Sequence, residues 1–254
     1  MGFKHVFKAV APVVALAIAG GLAGCDKANV NFNGEQGKEL ADLDLSGDAP
    51  SEVSLLGPDT VDIRDGEKLA IQVEGSDEAK ERLRFVLKDG SLGILRQNGH
   101  WSDDQVATVI VTMPAPAKLN LAGSGKMTAA SVSDQPEVNV AGSGTLNLAS
   151  VSARKIEVNI AGSGTLKAAG SADKLELNVM GSGTADMGAL KAGSANINVA
   201  GSGNATFASD GEVNANIVGS GDVTVRGRAR CKVHTVGSGT LTCESGSEET
   251  GKAA

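Results

Sequence analysis

Tyrosine is absent from this chain of 254 residues, and aromatic side chains make up only 2% of it. Beyond the N-terminal segment they are Phe32, Phe85, Trp101 and Phe207. So few rings leave no stacking platforms for sugars, which weighs against a polysaccharide-cleaving enzyme and against a strong carbohydrate binder. Histidine is as scarce. His100 and His234 stand in unrelated stretches, so a histidine-based zinc site is not expected. The apolar run at 9–21 falls short of the ~20 residues that span a bilayer. A 3.6-residue apolar period is missing, which excludes a helical solenoid. No Lys-Ser or Lys-Thr follows the glycine-rich motifs, so they are not phosphate loops. The serines beside them have no paired base to make them nucleophiles.

What the chain holds in excess is glycine, 34 residues of it, and much of that is periodic. Gly-Ser-Gly occurs seven times, with first glycines at Gly123, Gly142, Gly162, Gly181, Gly201, Gly219 and Gly237. The steps are 19, 20, 19, 20, 18 and 18 residues. A period in this range marks stacked units, none of which buries its apolar face alone. Two residues before each first glycine stand Leu121, Val140, Ile160, Val179, Val199, Ile217 and Thr235. Four before it stand Leu119, Val138, Val158, Leu177, Ile197, Ala215 and Val233. Two further apolar columns follow the tripeptide, one through Leu146 and Leu166, the other through Leu148, Met187 and Phe207. Residues between the columns are mostly polar. This period-2 alternation predicts strands with one buried and one solvated face.

Each repeat therefore reads as a strand, a glycine corner, a second strand and a turn of five to seven residues. Glycine suits the corner because it accepts positive φ and close backbone approach. An antiparallel meander would not return the same residue types to the same column each period. The expected fold is all-β: a right-handed parallel β-helix of about seven regular 18–20-residue coils, with an irregular β cap at its N-terminal end. Three residues before the glycine, six copies carry asparagine, Asn120, Asn139, Asn159, Asn178, Asn198 and Asn216, and the seventh carries His234. Stacked amides hydrogen-bond along the axis, as in cross-β ladders. The column is first a stabilising ladder and second the expected interaction face.

Residues 1–24 read as a leader. Lys4 and Lys8 form a basic start, 9–21 is apolar, and Leu22-Ala23-Gly24-Cys25 looks like the lipobox of bacterial lipoproteins. In signals of that kind the cysteine is lipidated, which makes Cys25 the membrane attachment point. Asp26 resembles the enteric inner-membrane retention signal, yet inner and outer membrane both stay open. Removing Lys4 and Lys8 from the 23 basic residues leaves 21 against 30 acidic ones, a net charge of −9. That argues against nucleic acid as a partner. Residues 25–39 read as a flexible tether, 40–116 as an irregular β segment with early coils and cap, 117–243 as the repeat helix, and 244–254 as a disordered tail.

Within 40–116, strands at 61–64 and 69–74 flank Asp65-Gly66, which predicts a hairpin, and 84–87 and 92–96 flank Asp89-Gly90, which predicts another. Residues 76–83 predict a short helix capped by Ser76. A β-branched run at 105–113 ends at Pro114. Taken together, the Asp-Gly hairpins, the Val109-Ile110-Val111-Thr112-Met113-Pro114 run, the 119–125 segment and the repeated Gly-Ser-Gly resemble the "putative auto-transporter adhesin, head GIN domain" family. The resemblance covers roughly residues 40–243. It implies a β-helical fold in an exported bacterial protein and adhesion as a family label, and it brings no catalytic or binding residues.

With Cys25 used for lipid, Cys231 and Cys243 remain, and an even remainder in an exported chain predicts a disulfide. Cys231 sits in an inward column with Ile156, Leu175 and Val213, and Cys243 in the one with Leu148 and Phe207. The four basic residues Arg226, Arg228, Arg230 and Lys232 read as a charged turn on a solvated face, with lipid phosphate as the other reading. The sequence points to a non-enzymatic, lipid-anchored envelope protein facing the periplasm or the surface, with no cofactor, metal or catalytic residue. It would act as an adhesin-like or scaffolding module through its outer face, on a polymer, a protein or another copy of itself. The alternative is a polysaccharide-acting β-helix enzyme, which a groove with clustered carboxylates would favour.

Overall fold

A computed structural model describes residues 31–97 and 106–244. Cys25, His100, Trp101 and the segments 1–30 and 245–254 lie outside the described residues. Strand makes up 69% and helix 4%, arranged as a β-solenoid of about seven turns. The chain enters through β1 (Asn31–Phe32), β2 (Glu35–Gln36) and a 3-10 turn at Leu40–Asp42. Then come β3 (Glu52–Leu56), β4 (Thr60–Asp65), β5 (Ala70–Glu74), helix α1 (Asp77–Glu81), β6 (Leu83–Lys88), β7 (Ser91–Arg96) and β8 (Thr108–Met113). The regular coils begin with β9 (Lys118–Gly123), β10 (Lys126–Ser131) and β11 (Glu137–Gly142). They continue through β12 (Thr145–Gly162), β13 (Thr165–Gly181), β14 (Thr184–Gly201) and β15 (Asn204–Ser209). They finish with β16 (Glu212–Gly219), β17 (Asp222–Arg226), β18 (Arg230–Gly237) and β19 (Thr240–Glu244).

Every coil step is parallel and advances one repeat, so Asn139 lies between Asn120 and Asn159, and Val140 between Leu121 and Ile160. The inward columns are buried throughout the middle coils. Size is balanced within a level: Met187 and Phe207 are fully buried where their coils carry Ala185 and Ala205. Such alternation of large and small side chains fills a narrow core without voids. The corner glycines are held by the coil beneath. Ser163 and Ser182 each donate a backbone N–H to the first glycine carbonyl one coil back, both at 2.8 Å.

The turn expected to close each repeat is a strand in the middle coils. Val151, Ser152 and Ala153 pair with Gly170, Ser171 and Ala172, so β12 and β13 run unbroken into the next coil. This third face buries Val151, Leu190 and Ala192. Length differences are absorbed here: the register shifts between Leu148 and Val151, between Lys167 and Ala169, and between Met187 and Lys191. An apolar stretch of two or three residues is too short to show a period, which is why it reads as a loop.

The N-terminal part departs further from expectation. β4 and β5 do not form a hairpin, because β8 lies between them, parallel to β4 and antiparallel to β5. β8 has Val109, Ile110 and Val111 all buried, a central strand able to satisfy two neighbours. β3 likewise pairs with β7 on one side and β9 on the other. The coil 52–65 is therefore sandwiched between 91–113 and 118–131, and spatial order differs from chain order. The Asp89-Gly90 hairpin is present: Lys88 faces Ser91, with Asp89 at φ 51° and Gly90 at φ 73°, as a two-residue primed turn requires. Helix α1 is capped by Ser76, whose Oγ accepts from the Ala79 N–H at 3.3 Å.

Candidate interaction face

The first face of the solenoid carries the asparagine column. Asn139 Nδ2 donates to Asn120 Oδ1 at 2.8 Å, Asn159 to Asn139 at 2.9 Å and Asn178 to Asn159 at 2.8 Å. Asn198 donates to Asn178 at 2.9 Å and Asn216 to Asn198 at 3.0 Å. All five bonds point the same way, towards the N-terminal end. A row of amides needs an acceptor at that end, and Glu52 supplies it: Asn120 Nδ2 donates to Glu52 Oε1 at 2.6 Å and to Ser54 Oγ at 2.9 Å. Ser91 Oγ holds the other carboxylate oxygen at 3.0 Å. Six aligned amides on a carboxylate form a cooperative chain in which each bond polarises the next.

The ladder emerges from the protein along its length. Asn120 is 4% exposed and Asn139 nearly as buried, the middle members are half-buried, and Asn216 is exposed. Beside it, outward, runs a column of apolar residues, Ala122, Ala141, Ala161, Met180, Ala200, Val218 and Val236. Beyond that stand the seven corner serines, each exposed. On the other flank the charges neutralise one another. Lys118 meets Glu137 at 3.3 Å, Lys155 meets Glu176 at 2.8 Å, and Lys174 meets Glu176 at 2.6 Å. The hydrogen bond from Lys155, then that from Lys174, holds the Glu176 carboxyl below the usual range, and Glu176 in turn pushes Lys155 up. The result is a flat ribbon of amides, methyls and hydroxyls with little net charge.

Reactive groupings are sparse among the described residues. They contain no cluster of three or more His, Cys, Asp or Glu side chains able to hold a metal. A shallow cleft of about 270 Å³ lies on the N-terminal cap, lined by Glu35, Lys38, Asp42, Leu43, Phe85 and Lys88, away from the ladder. Its Lys88 is paired with Glu35 at 2.7 Å. Cys231 and Cys243 are joined by a disulfide in the last coil, with Cα atoms 6.7 Å apart. In the basic cluster Lys232 pairs with Glu212 at 2.8 Å, and Arg226 lies 3.9 Å from Glu244.

Sequence reasoning missed two polar groupings. One is the Glu52–Ser54–Ser91 start of the ladder. Aligning Gly57 on the corner glycine places Ser54 in the asparagine column, but Gly57-Pro58-Asp59 replaces the tripeptide and hides the repeat. The other is Asp59 with Arg96, both buried, which ties that corner to the strand beneath.

Residues 49–229 match the family described as "Putative auto-transporter adhesin, head GIN domain". Among solved structures, one titled a putative adhesin from Bacteroides fragilis NCTC 9343 is 17% identical, with a TM-score of 0.67 over 77% of this chain and 93% of that one. A second, titled a putative lipid binding protein from Parabacteroides distasonis ATCC 8503, is 20% identical, with a TM-score of 0.62 over 78% and 94%. A third, titled a putative adhesin from Parabacteroides merdae ATCC 43184, is 16% identical, with a TM-score of 0.57 over 78% and 93%. At these identities the likeness is one of fold. No curated protein matches the chain.

Proposed function

This chain belongs to the "putative auto-transporter adhesin, head GIN domain" family, and from that premise we propose that it is a lipid-anchored envelope protein that works by surface contact. Cys25 carries the lipid, and the solenoid presents its first face to an extended partner. The observation that supports this reading is the ribbon of asparagine, apolar and serine columns that runs along the coils. Binding along it is repetitive and individually weak, since each coil offers the same few hydrogen-bonding groups, and avidity accumulates over several coils. Among the described residues the interior is filled by apolar columns, which leave no polar cavity there of the kind small ligands occupy.

Two variants test the two halves of the reading. Cys25→Ser should abolish palmitate labelling and release the chain from membranes; unchanged labelling would contradict the anchor. Asn159→Arg with Asn178→Arg sets two bulky charges on the half-buried centre of the ribbon. The double variant should keep its β circular dichroism and lose at least about tenfold in association with envelope preparations. Undiminished association by a folded double variant would make the ladder structural only.

A further inference from the structure

The two ends of the solenoid are built differently. At the N-terminal end β5 lies antiparallel on β8 and β6 antiparallel on β7, so the parallel coil is covered there, and Lys38 bridges the outer side of β6 at Phe85. Phe85 and Ala79 are buried there under the cap. At the C-terminal end, among the described residues, β18 pairs only with β16 and β19 only with β17. The inward column is consequently open to solvent: Val233 is 51% exposed, against 3% for Ala215 one coil back and 0% for Ile197. Ala229, Cys231, Leu241 and Cys243 are only partly buried around it. An edge of this kind offers unpaired N–H and C=O groups together with an apolar ring, and folded proteins cover such edges. The residues after Glu244 up to 254 have no apolar side chain larger than alanine, so they carry nothing to lay on that ring.

We propose that the last coil is a docking surface for the last coil of a second copy, giving a tail-to-tail dimer. The backbone groups that β18 presents on its free edge correspond to those with which β16 holds β18, so the edge can take one more strand. At the other end the interior is already covered, with Ala79, Leu83 and Phe85 buried, and no apolar ring among the described residues is open to receive a tail. The contact is therefore tail-to-tail, two-fold, and closes at two copies instead of growing a filament. A two-fold axis makes the strands antiparallel across the joint. With the axis near Val233, the two Val233 side chains meet or nearly meet, and Arg230 of one copy lies opposite the Val236 end of the other. The two Arg230 side chains are then roughly 20 Å apart along the strands, well beyond the ~8 Å screening length at physiological salt. Lys232 is already paired with Glu212. The remaining like-charge repulsion is weak and falls further with salt.

The full-length chain in a non-ionic detergent, followed by sedimentation velocity from micromolar to millimolar protein, tests this. Monomer and dimer alone should populate, and the dimer should tighten as salt rises from about 0.05 M to about 0.5 M. Val233→Asp places a carboxylate in the apolar joint and should weaken the dimer at least about tenfold with unchanged circular dichroism. Thr235→Asp, at the next inward position of β18, is the second variant if that one misfolds. Asn159→Arg with Asn178→Arg, on the side of the solenoid, should leave the dimer intact. A monomer at every concentration, an open-ended series of oligomers, a dimer that salt dissolves, or one indifferent to folded end-coil variants would each overturn the proposal.

Discussion

Asp59→Ala is expected to cost about 3–5 kcal/mol, the range for removing one partner of a buried ion pair. Asp59 is 1% exposed and Arg96 3%. The carboxylate accepts from Arg96 Nε at 2.7 Å and from Arg96 Nη2, and it also accepts from the Ala107 N–H at 2.9 Å. Alanine takes away both acceptor oxygens and with them all three hydrogen bonds, and it removes the Asp59 charge from beside the buried guanidinium. The loss falls on one joint. Asp59 sits at the corner of the 52–65 coil, whereas Arg96 and Ala107 belong to the 91–113 level, so the cap should loosen from the stack. Domains are stable by only about 5–15 kcal/mol, and urea unfolding should show a lowered midpoint with an early transition from the cap. Replacing both partners by leucine should cost less, because neither the buried carboxylate nor the buried guanidinium then remains at the joint. A loss below about 1 kcal/mol for Asp59→Ala would mean that the pair is dispensable.

Gly181→Ala comes next in expected size. Gly181 has φ +110°, in the region that favours glycine, and a Cβ there would stand 2.6 Å from the Gly162 carbonyl oxygen. That oxygen is backbone in the neighbouring coil and accepts from Ser182 N–H at 2.8 Å, so it cannot yield without opening the corner. Strained φ contributes about 1–3 kcal/mol and the clash adds to it. In a stack held by nearest neighbours, a break in the centre uncouples the coils on either side. Ser182→Ala, one residue on, should fall within about 0.5 kcal/mol, since its side chain is exposed and its structural bond is made by backbone. Thermal unfolding of the two variants side by side checks this. Equal melting temperatures would show that the corner tolerates a side chain after all.

That contrast explains why the repeat was so legible. Glycine is required at both corner positions by the coil beneath: Gly183, like Gly181, has no room for a Cβ, with Ile160 Cγ2 only 2.4 Å away. A constraint repeated at each coil writes itself into the sequence as a period. The inward columns and the parallel register followed from the same period. Features made once left no such trace. The insertion of the 52–65 coil between 91–113 and 118–131 depends on long-range pairing by β3 and β8, and nothing in their local patterns says which neighbour each takes. Val61–Ile63 and Ile71–Val73 around Asp65-Gly66 make as good a hairpin pattern as the one that forms. Asp59 and Arg96 are 37 residues apart, and no local pattern joins them. Glu52, the acceptor that sets the direction of the amide ladder, is one carboxylate among 30 acidic residues.

The central claim is that contact is made along the first face, and site-specific photo-crosslinking addresses it most directly. A benzophenone side chain would replace Ala161 or Ala200, which point outward beside the ladder, and Lys167 or Asp186, which are exposed on the second face. All four positions lie in the middle coils, away from the cap and from the last coil. Irradiated on intact envelopes, the Ala161 and Ala200 probes should yield discrete high-mass adducts, and the Lys167 and Asp186 probes should yield few or none. Adducts of equal strength from both faces, or from the second face alone, would contradict the account.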